Sequence, residues 1–195
     1  MSKGQSTREA IVARAFAIAT VAGLEGLTIG RLAEELELSK SGVFAHFGSK
    51  EGLQLAVIEE ASRQFIEEVM VPALRARRGE PRVRALLDRW MTWGARPGGC
   101  FFIPAISELD DRPGATHDAL VRSQRDLLDA LATAVKIAIE EGHFRADLDP
   151  AQFAFDAYSI ILGSHLFQHF LRAPDALART RHSFDALIAS ASRPR

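Results

Sequence analysis

Two adjacent side chains, Lys40 and Ser41, offer an ammonium group and a hydroxyl as hydrogen-bond donors. They follow Ser39, whose hydroxyl can cap the start of a short helix, so both belong to the first turn of that helix. In a helix-turn-helix this turn of the second helix enters the major groove. Lysine donates to O6 or N7 of guanine, whereas serine is a less selective reader. Gly42 has no side chain and permits a close approach of the backbone to the bases.

Phosphate contacts are expected at both ends of this segment. His46 lies near the end of the same helix, and Lys50 begins the next one. Ser49 and the free N–H groups beside it form an anion site at a helix N-terminus. Thr28, at the start of the preceding helix, can contact the DNA backbone in the same manner.

Two short helices and a long one must hold these side chains in place. Thr28, Ser39 and Ser49 each stand where a helix needs a side-chain oxygen to accept an unpaired backbone N–H. Apolar residues between them are expected to pack the short helices together at a steep angle: Leu32, Ala33, Leu36, Leu38, Val43, Phe44 and Phe47. This arrangement predicts a helix-turn-helix.

The stretch from Ser39 to Leu53 resembles the signature of TetR-family transcriptional regulators. The most specific part is His46-Phe47 followed by Ser49-Lys50-Glu51 and Leu53. The lead-in, a first helix followed by two glycines before Thr28, is also similar, so the resemblance covers residues 7–55. It implies a ligand-responsive regulator without enzymatic activity, a repressor that binds a palindromic operator in double-stranded DNA as a homodimer.

One position departs from the family pattern. The family usually has tyrosine where this chain has Phe44, so the phosphate contact of that hydroxyl is missing, while the ring is still expected to pack in the core. The predicted DNA-binding residues are Thr28, Ser39, Lys40, Ser41, Gly42, Phe44, His46 and Lys50.

The bulk composition is that of a globular protein without a disulfide framework. The chain has 195 residues, 47% of them hydrophobic and 25% charged, and its single cysteine is Cys100. No signal peptide is expected, because the N-terminus lacks an apolar segment, and the most apolar early run is too short to span a membrane. We therefore expect a cytoplasmic protein, and no cofactor is predicted.

Charge favours a specific DNA reader over a protein that coats DNA. The formal net charge is −1, and residues 1–60 contain two more carboxylates than lysines and arginines. Long-range attraction to DNA is therefore modest, and specific binding is expected to depend on dimerisation.

Nearly the whole chain is predicted to be helical. No segment alternates β-branched and polar residues over the length of a strand, and no Asn-Gly or Asp-Gly turn occurs. The expected fold is all-α with about nine helices, as a three-helix head over residues 1–48 and a bundle for ligand binding and dimerisation over residues 49–195. Breaks are predicted at residues 77–81, 96–99 and 110–114. Gly142 is expected to end one helix and Pro150 to open the next.

The helix predicted over residues 150–171 is apolar on nearly every face, more than one core-facing stripe requires. In a small protein such a helix implies a partner, and Gly163 would let two copies approach closely. In the family that the chain resembles, the last two helices of each subunit form a four-helix interface. The predicted interface residues are Phe155, Tyr158, Leu162, Gly163, Leu166, Phe167 and Phe170.

The same resemblance implies a small, largely apolar effector bound among the middle helices. The residues predicted to bind it are Phe65, Trp90, Trp93, Phe101, Phe102, His117, Gln124 and Leu127. The alternative is that these side chains fill an ordinary core.

Other chemistry has weaker support. His165 and His169 have the spacing of a two-histidine metal grip, but no carboxylate or cysteine lies beside them, so no metal site is predicted. Cys100 is either a redox-sensing thiol or a buried inert one, and its aromatic neighbours favour the second. No catalytic residue is predicted, since phosphate-loop and triad patterns are absent. The runner-up is a helical protein with an enzymatic, redox-sensing or protein-binding C-terminal half and a vestigial DNA head.

Overall fold

The structure is a computed structural model that describes residues 3–193. Its α-helices are α1 (Lys3–Ala22), α2 (Ile29–Glu35), α3 (Lys40–Phe47), α4 (Lys50–Phe65), α5 (Val71–Leu74), α6 (Glu80–Gly94), α7 (Phe102–Leu109), α8 (Ala115–Glu140), α9 (Pro150–His165) and α10 (Ala176–Ala191). π-helical turns over Ile66–Met70 and Leu166–Phe170 join α4 to α5 and extend α9. Counting these continuous runs once, the described chain has nine helices, which confirms the predicted all-α fold.

Local signals placed most helix ends correctly. Asp149 caps α9 through its carboxylate, which accepts from the N–H groups of Ala151 and Gln152. Gly142 ends the long helix α8 with φ +75°. The predicted break at 77–81 was wrong at its end, because Glu80 and Pro81 form the first turn of α6, where proline loses no hydrogen bond. Neither π-helical turn was predicted from the sequence.

Cα packing divides the chain into two compact units. The first contains the chain up to Gln64 together with Phe101–Arg122, so α7 and the start of α8 pack with the helix-turn-helix. Aliphatic side chains fully buried in its core include Ile11, Leu24, Leu32, Val43 and Leu53.

The second unit contains Phe65–Cys100 and Ser123–Arg195. Its largest fully buried side chains are Trp93, Phe144 and Phe153, and α10 packs against α9 and α6. An isolated antiparallel bridge joins Phe144 to Ser192. Within residues 3–193 no helix combines the length and the apolar character needed to cross a bilayer.

Gly52 in the first turn of α4 is required by the close approach of α3. A Cβ placed there would lie 2.2 Å from the carbonyl oxygen of Phe47. We expect Gly52→Ala to lower the free energy of unfolding by about 1–3 kcal/mol, because backbone must move to admit the methyl group. Thermal unfolding followed by circular dichroism measures the effect.

Gly94→Ala is the matched control for this substitution. Gly94 is also helical, and no atom lies within 4 Å of its added Cβ. The control should be neutral or slightly stabilising, because alanine loses less backbone entropy than glycine. Equal unfolding temperatures for the two variants would contradict the steric argument.

Candidate DNA-binding head and effector cavity

Ser39 caps α3 as predicted and leaves its first turn open to solvent. Its backbone is extended, and its Oγ accepts from the N–H of Gly42 at 3.0 Å. The Oγ atoms of Ser39 and Ser41 are 3.2 Å apart. Lys40 and Ser41 are both exposed. The two side chains predicted to read bases therefore lie on an accessible face.

Phe44 shares that exposed face, so the prediction that its ring packs in the core was wrong. The side chain is 50% exposed, whereas neighbouring Val43 is fully buried. Successive helical residues point about 100° apart, so only one of the two can face α2. Lys40 and Ser41 precede Phe44 by four and three residues, which places all three on one surface of α3.

Thr28 and Lys40 are brought together across the turn. Thr28 Oγ1 caps α2 by accepting from the N–H of Arg31 at 3.1 Å. A Cβ placed on Gly30 would lie 3.7 Å from Lys40 Nζ and 4.0 Å from Thr28 Oγ1. The start of α2 and the start of α3 thus present a hydroxyl and an ammonium group near one point.

The other two predicted phosphate contacts differ in their surroundings. His46 is half-buried, with its ring 6.2 Å from that of Phe47. Lys50 is exposed, but its Nζ lies 3.2 Å from Glu25 Oε2. Ser49 Oγ accepts from the N–H of Gly52 at 2.9 Å and so caps α4.

Glu25 is a part of this site that the sequence reading missed. Hydrogen bonding to Lys50, with the nearby charges of Lys50 and Arg112, holds the pKa of Glu25 below its usual value. Glu25 stands in a turn without a recognised motif, and Arg112 is 87 positions away. No local signal in the sequence could have paired them.

A small apolar cavity lies in the second unit, where several effector residues were predicted. Phe65, Trp90 and Leu127 line it together with Val69, Met70, Leu86 and Leu131. Its free space is about 10 Å³, room for one water molecule at most. All seven lining side chains are apolar, so the cavity offers no partner to a charged group.

Trp93, Gln124 and Tyr158 extend this cluster. The ring of Trp93 packs edge-on against Phe65 with centroids 5.4 Å apart. Tyr158 packs edge-on against Trp90, also at 5.4 Å, and its hydroxyl donates to Gln124 Oε1 at 2.8 Å. Burial raises the pKa of Tyr158, so the phenol remains a hydrogen-bond donor.

Phe101, Phe102 and His117 fall in the other compact unit. Phe101 is buried against Phe16 of α1, with ring centroids 5.7 Å apart. The half-buried His117 has its Nδ1 3.1 Å from a carboxylate oxygen of Asp118.

Most residues predicted for the dimer interface form an exposed apolar stripe on α9 and its π-helical extension. The exposed members are Phe155, Leu162, Leu166, Phe167 and Phe170, and Phe170 reaches 79%. An added Cβ on Gly163 would have no atom within 4 Å. Tyr158 differs, because its ring and hydroxyl are used inside the unit. A stripe of this size on a surface helix is typical of an interaction site.

The rings of His165 and His169 pack against each other and close to Gly99, where an added Cβ would lie 2.8 Å from His165 and 3.0 Å from His169. Their ring centroids are 4.8 Å apart, and His169 Nε2 lies 2.8 Å from the carbonyl oxygen of Gly94. Burial is the main cause that lowers the pKa of His165, and the nearby His169 lowers it further by charge repulsion. Among the described residues no group of three possible metal ligands occurs. Cys100 is 3% exposed.

Two family models match the chain over most of its length. The model of the bacterial regulatory proteins of the tetR family matches residues 11–57. The model of the tetracyclin repressor-like C-terminal domain matches residues 79–184, more than half of the chain. The chain belongs to the TetR family. The first match contains α2, α3 and their caps, and the second contains the apolar cavity lining from Leu86 onwards and the exposed stripe.

Solved structures share this fold over their whole length. A TetR transcriptional regulator from Chloroflexus aurantiacus is 26% identical, with a TM-score of 0.86, over 97% of this chain and 96% of that one. A TetR-family regulator from Cytophaga hutchinsonii is 21% identical, with a TM-score of 0.84, over 100% and 99%. AibR, solved with isovaleryl coenzyme A and operator DNA, is 22% identical, with a TM-score of 0.72, over 96% and 99%. No curated protein sequence matches the chain.

Family membership makes this protein a DNA-binding transcriptional regulator with a ligand-binding C-terminal domain.

Removing the Tyr158 hydroxyl tests whether this residue stabilises the unit from inside. We expect Tyr158→Phe to lower the free energy of unfolding by about 1 kcal/mol, because Oε1 of the half-buried Gln124 loses the hydroxyl that donates to it. Urea unfolding measures this. In the Gln124→Leu background the same substitution should cost less, since the bond is already gone; equal costs in both backgrounds would show that the hydrogen bond is not the cause.

Proposed function

We propose that this protein is a repressor that binds a palindromic operator as a homodimer and leaves it when an apolar effector binds. The observation that carries the proposal is the capped helix α3, which presents Lys40, Ser41 and Phe44 together on an exposed face. A helix of eight residues reads only a few base pairs, so two copies are needed for a specific site.

The exposed stripe on α9 supplies the proposed dimer contact. Large apolar side chains in water are unfavourable, and burying them against a second copy would contribute about 25 cal/mol for each Å² removed from water. Gly163 in the middle of the stripe allows a close helix approach. Two heads held in this way would read half-sites one helical turn, about 34–36 Å, apart.

The effector is proposed to enter the apolar cavity of the second unit. The free space of the cavity is only about 10 Å³, so a ligand larger than water must bind a conformation with a larger cavity and shift the population towards it. A neutral, largely apolar molecule fits this lining, because an ion would lose its hydration without gaining a partner. For regulation, the dimer in this larger-cavity conformation must position its two DNA-binding heads so that its affinity for the operator is lower.

The functional division proposed here is a DNA-binding head over residues 1–48 and a sensing and dimerising part over residues 49–195, acting in the cytoplasm where operator DNA lies. The first experiment is selection of binding sites from random duplex DNA at a fixed salt concentration, since affinity for DNA depends strongly on salt. An enriched palindrome supports the proposal, and no enrichment by a folded protein argues for function in the C-terminal half alone.

Lys40→Ala tests the reading face directly. Loss of a bidentate base contact typically costs about 1–3 kcal/mol, so we expect operator affinity to fall about 5- to 150-fold per half-site, with the fold unchanged. Fluorescence anisotropy with the selected duplex measures the affinity. Lys136→Ala is the control, because Lys136 is an exposed lysine of α8 in the other unit. The assignment of α3 fails if both variants bind alike.

Gly163→Glu tests the dimer. A carboxylate in the middle of an apolar interface would be buried without a partner, so we expect monomers and no operator binding. Light scattering after gel filtration gives the mass. Leu74→Glu, at a 50% exposed apolar residue of α5, is the control and should remain dimeric. If Gly163→Glu is also dimeric, the interface lies elsewhere.

A further inference from the structure

A chain of three charges, Lys50, Glu25 and Arg112, links the turn after α7 to the DNA-binding head within the first unit. Glu25 Oε2 lies 3.2 Å from Lys50 Nζ, and Glu25 Oε1 lies 2.7 Å from an Arg112 guanidinium nitrogen. Each carboxylate oxygen of Glu25 therefore forms an ion pair with a different side chain. Lys50 Nζ also lies 3.5 Å from the backbone carbonyl oxygen of Glu25.

The turn that carries Glu25 is held by the same segment that supplies Arg112. Glu108, in α7, accepts from the N–H of Glu25 at 3.1 Å. A Cβ on Gly23, whose φ is +76°, would lie 1.8 Å from Glu108 Oε1, so only glycine admits this carboxylate. Glu108 thus fixes the backbone of the turn while Arg112 holds its side chain.

This arrangement makes Glu25 a competitor of DNA. A phosphate that binds Lys50 must displace a carboxylate already in contact with it. The pair is open to exchange, because the Lys50 and Glu25 side chains are 43% and 46% exposed and ion pairs of that kind are weak. Arg112 withdraws part of the negative charge of Glu25 and so lowers the cost of the exchange.

We infer that Glu25 is a positioning residue that restrains Lys50 from DNA phosphate, and that Arg112 weakens this restraint. The inference rests on the phosphate contact proposed for Lys50. It assigns a regulatory role to residues 101–122, which are continuous in sequence with the second unit at both ends. If Arg112 moved away, both carboxylate oxygens of Glu25 would be available to Lys50. The affinity for DNA would then fall without a change in α3.

Glu25→Gln is the primary test, with the selected operator as probe. Freeing Lys50 should raise the affinity of the dimer about two- to tenfold, and each phosphate gained should steepen the dependence of log K on log salt by about 0.9. Glu60→Gln is the matched control. Glu60 is paired with Arg63 on the same helix as Lys50, ten residues or about 15 Å further along. Equal gains for both variants, with equal slopes, would show a net-charge effect and overturn the inference.

Arg112→Gln distinguishes action through Glu25 from a direct effect of the arginine. In the wild-type background it should weaken operator binding about two- to fivefold. In the Glu25→Gln background it should have no effect, since no carboxylate remains to be shared. The same loss in both backgrounds would overturn the role of Arg112.

Lys50→Met separates failure of this inference from failure of the proposed function. If the wild-type protein enriches no DNA sequence, the proposed function and the inference fall together. If the wild type binds an operator but Lys50→Met binds equally well, only the inference falls. Loss of affinity with Lys50→Met, and no gain from Glu25→Gln in that background, is the expected result.

Discussion

Unpaired backbone N–H groups at three helix starts are the constraint on which the DNA-binding head depends. Thr28, Ser39 and Ser49 each satisfy one of them with a hydroxyl, at 3.1, 3.0 and 2.9 Å. Because each cap fixes where its helix begins, the caps also decide which residues occupy the first turns. The position of Lys40 and Ser41 on α3 follows directly from the hydroxyl of Ser39.

Apolar residues are used for two purposes in the second unit. Aromatic rings such as Trp90 and Phe153 are buried and fill the interior, whereas Phe155 and Phe170 of the same region remain exposed. Helical geometry explains the difference, because residues two apart point about 200° away from each other and cannot share an environment. In a helix with apolar residues on both sides, the side chains of one side are buried in the core and those of the other side form an exposed apolar surface.

The segment from Phe101 to Arg122 packs in one compact unit and is continuous in sequence with the other. It packs in the same unit as the helix-turn-helix, through the buried contact of Phe101 with Phe16 and the charged contacts of Glu25. Yet it follows α6 directly in the chain and continues into α8, which carries Leu127 and Leu131 of the cavity.

Caps and helical periodicity act over a few residues, so the all-α fold, the helix-turn-helix and the apolar surplus of residues 150–171 were predictable from the sequence. Of the eight residues predicted to bind the effector, Phe65, Trp90 and Leu127 line one cavity. The packing of whole helices, by contrast, leaves Phe44 exposed, directs the Tyr158 hydroxyl inward to Gln124, and places Phe101, Phe102 and His117 in the other unit. The pairing of Glu25 with Lys50 and Arg112 spans 25 and 87 positions. Contacts over such separations depend on how whole helices pack, and no pattern within one segment encodes them.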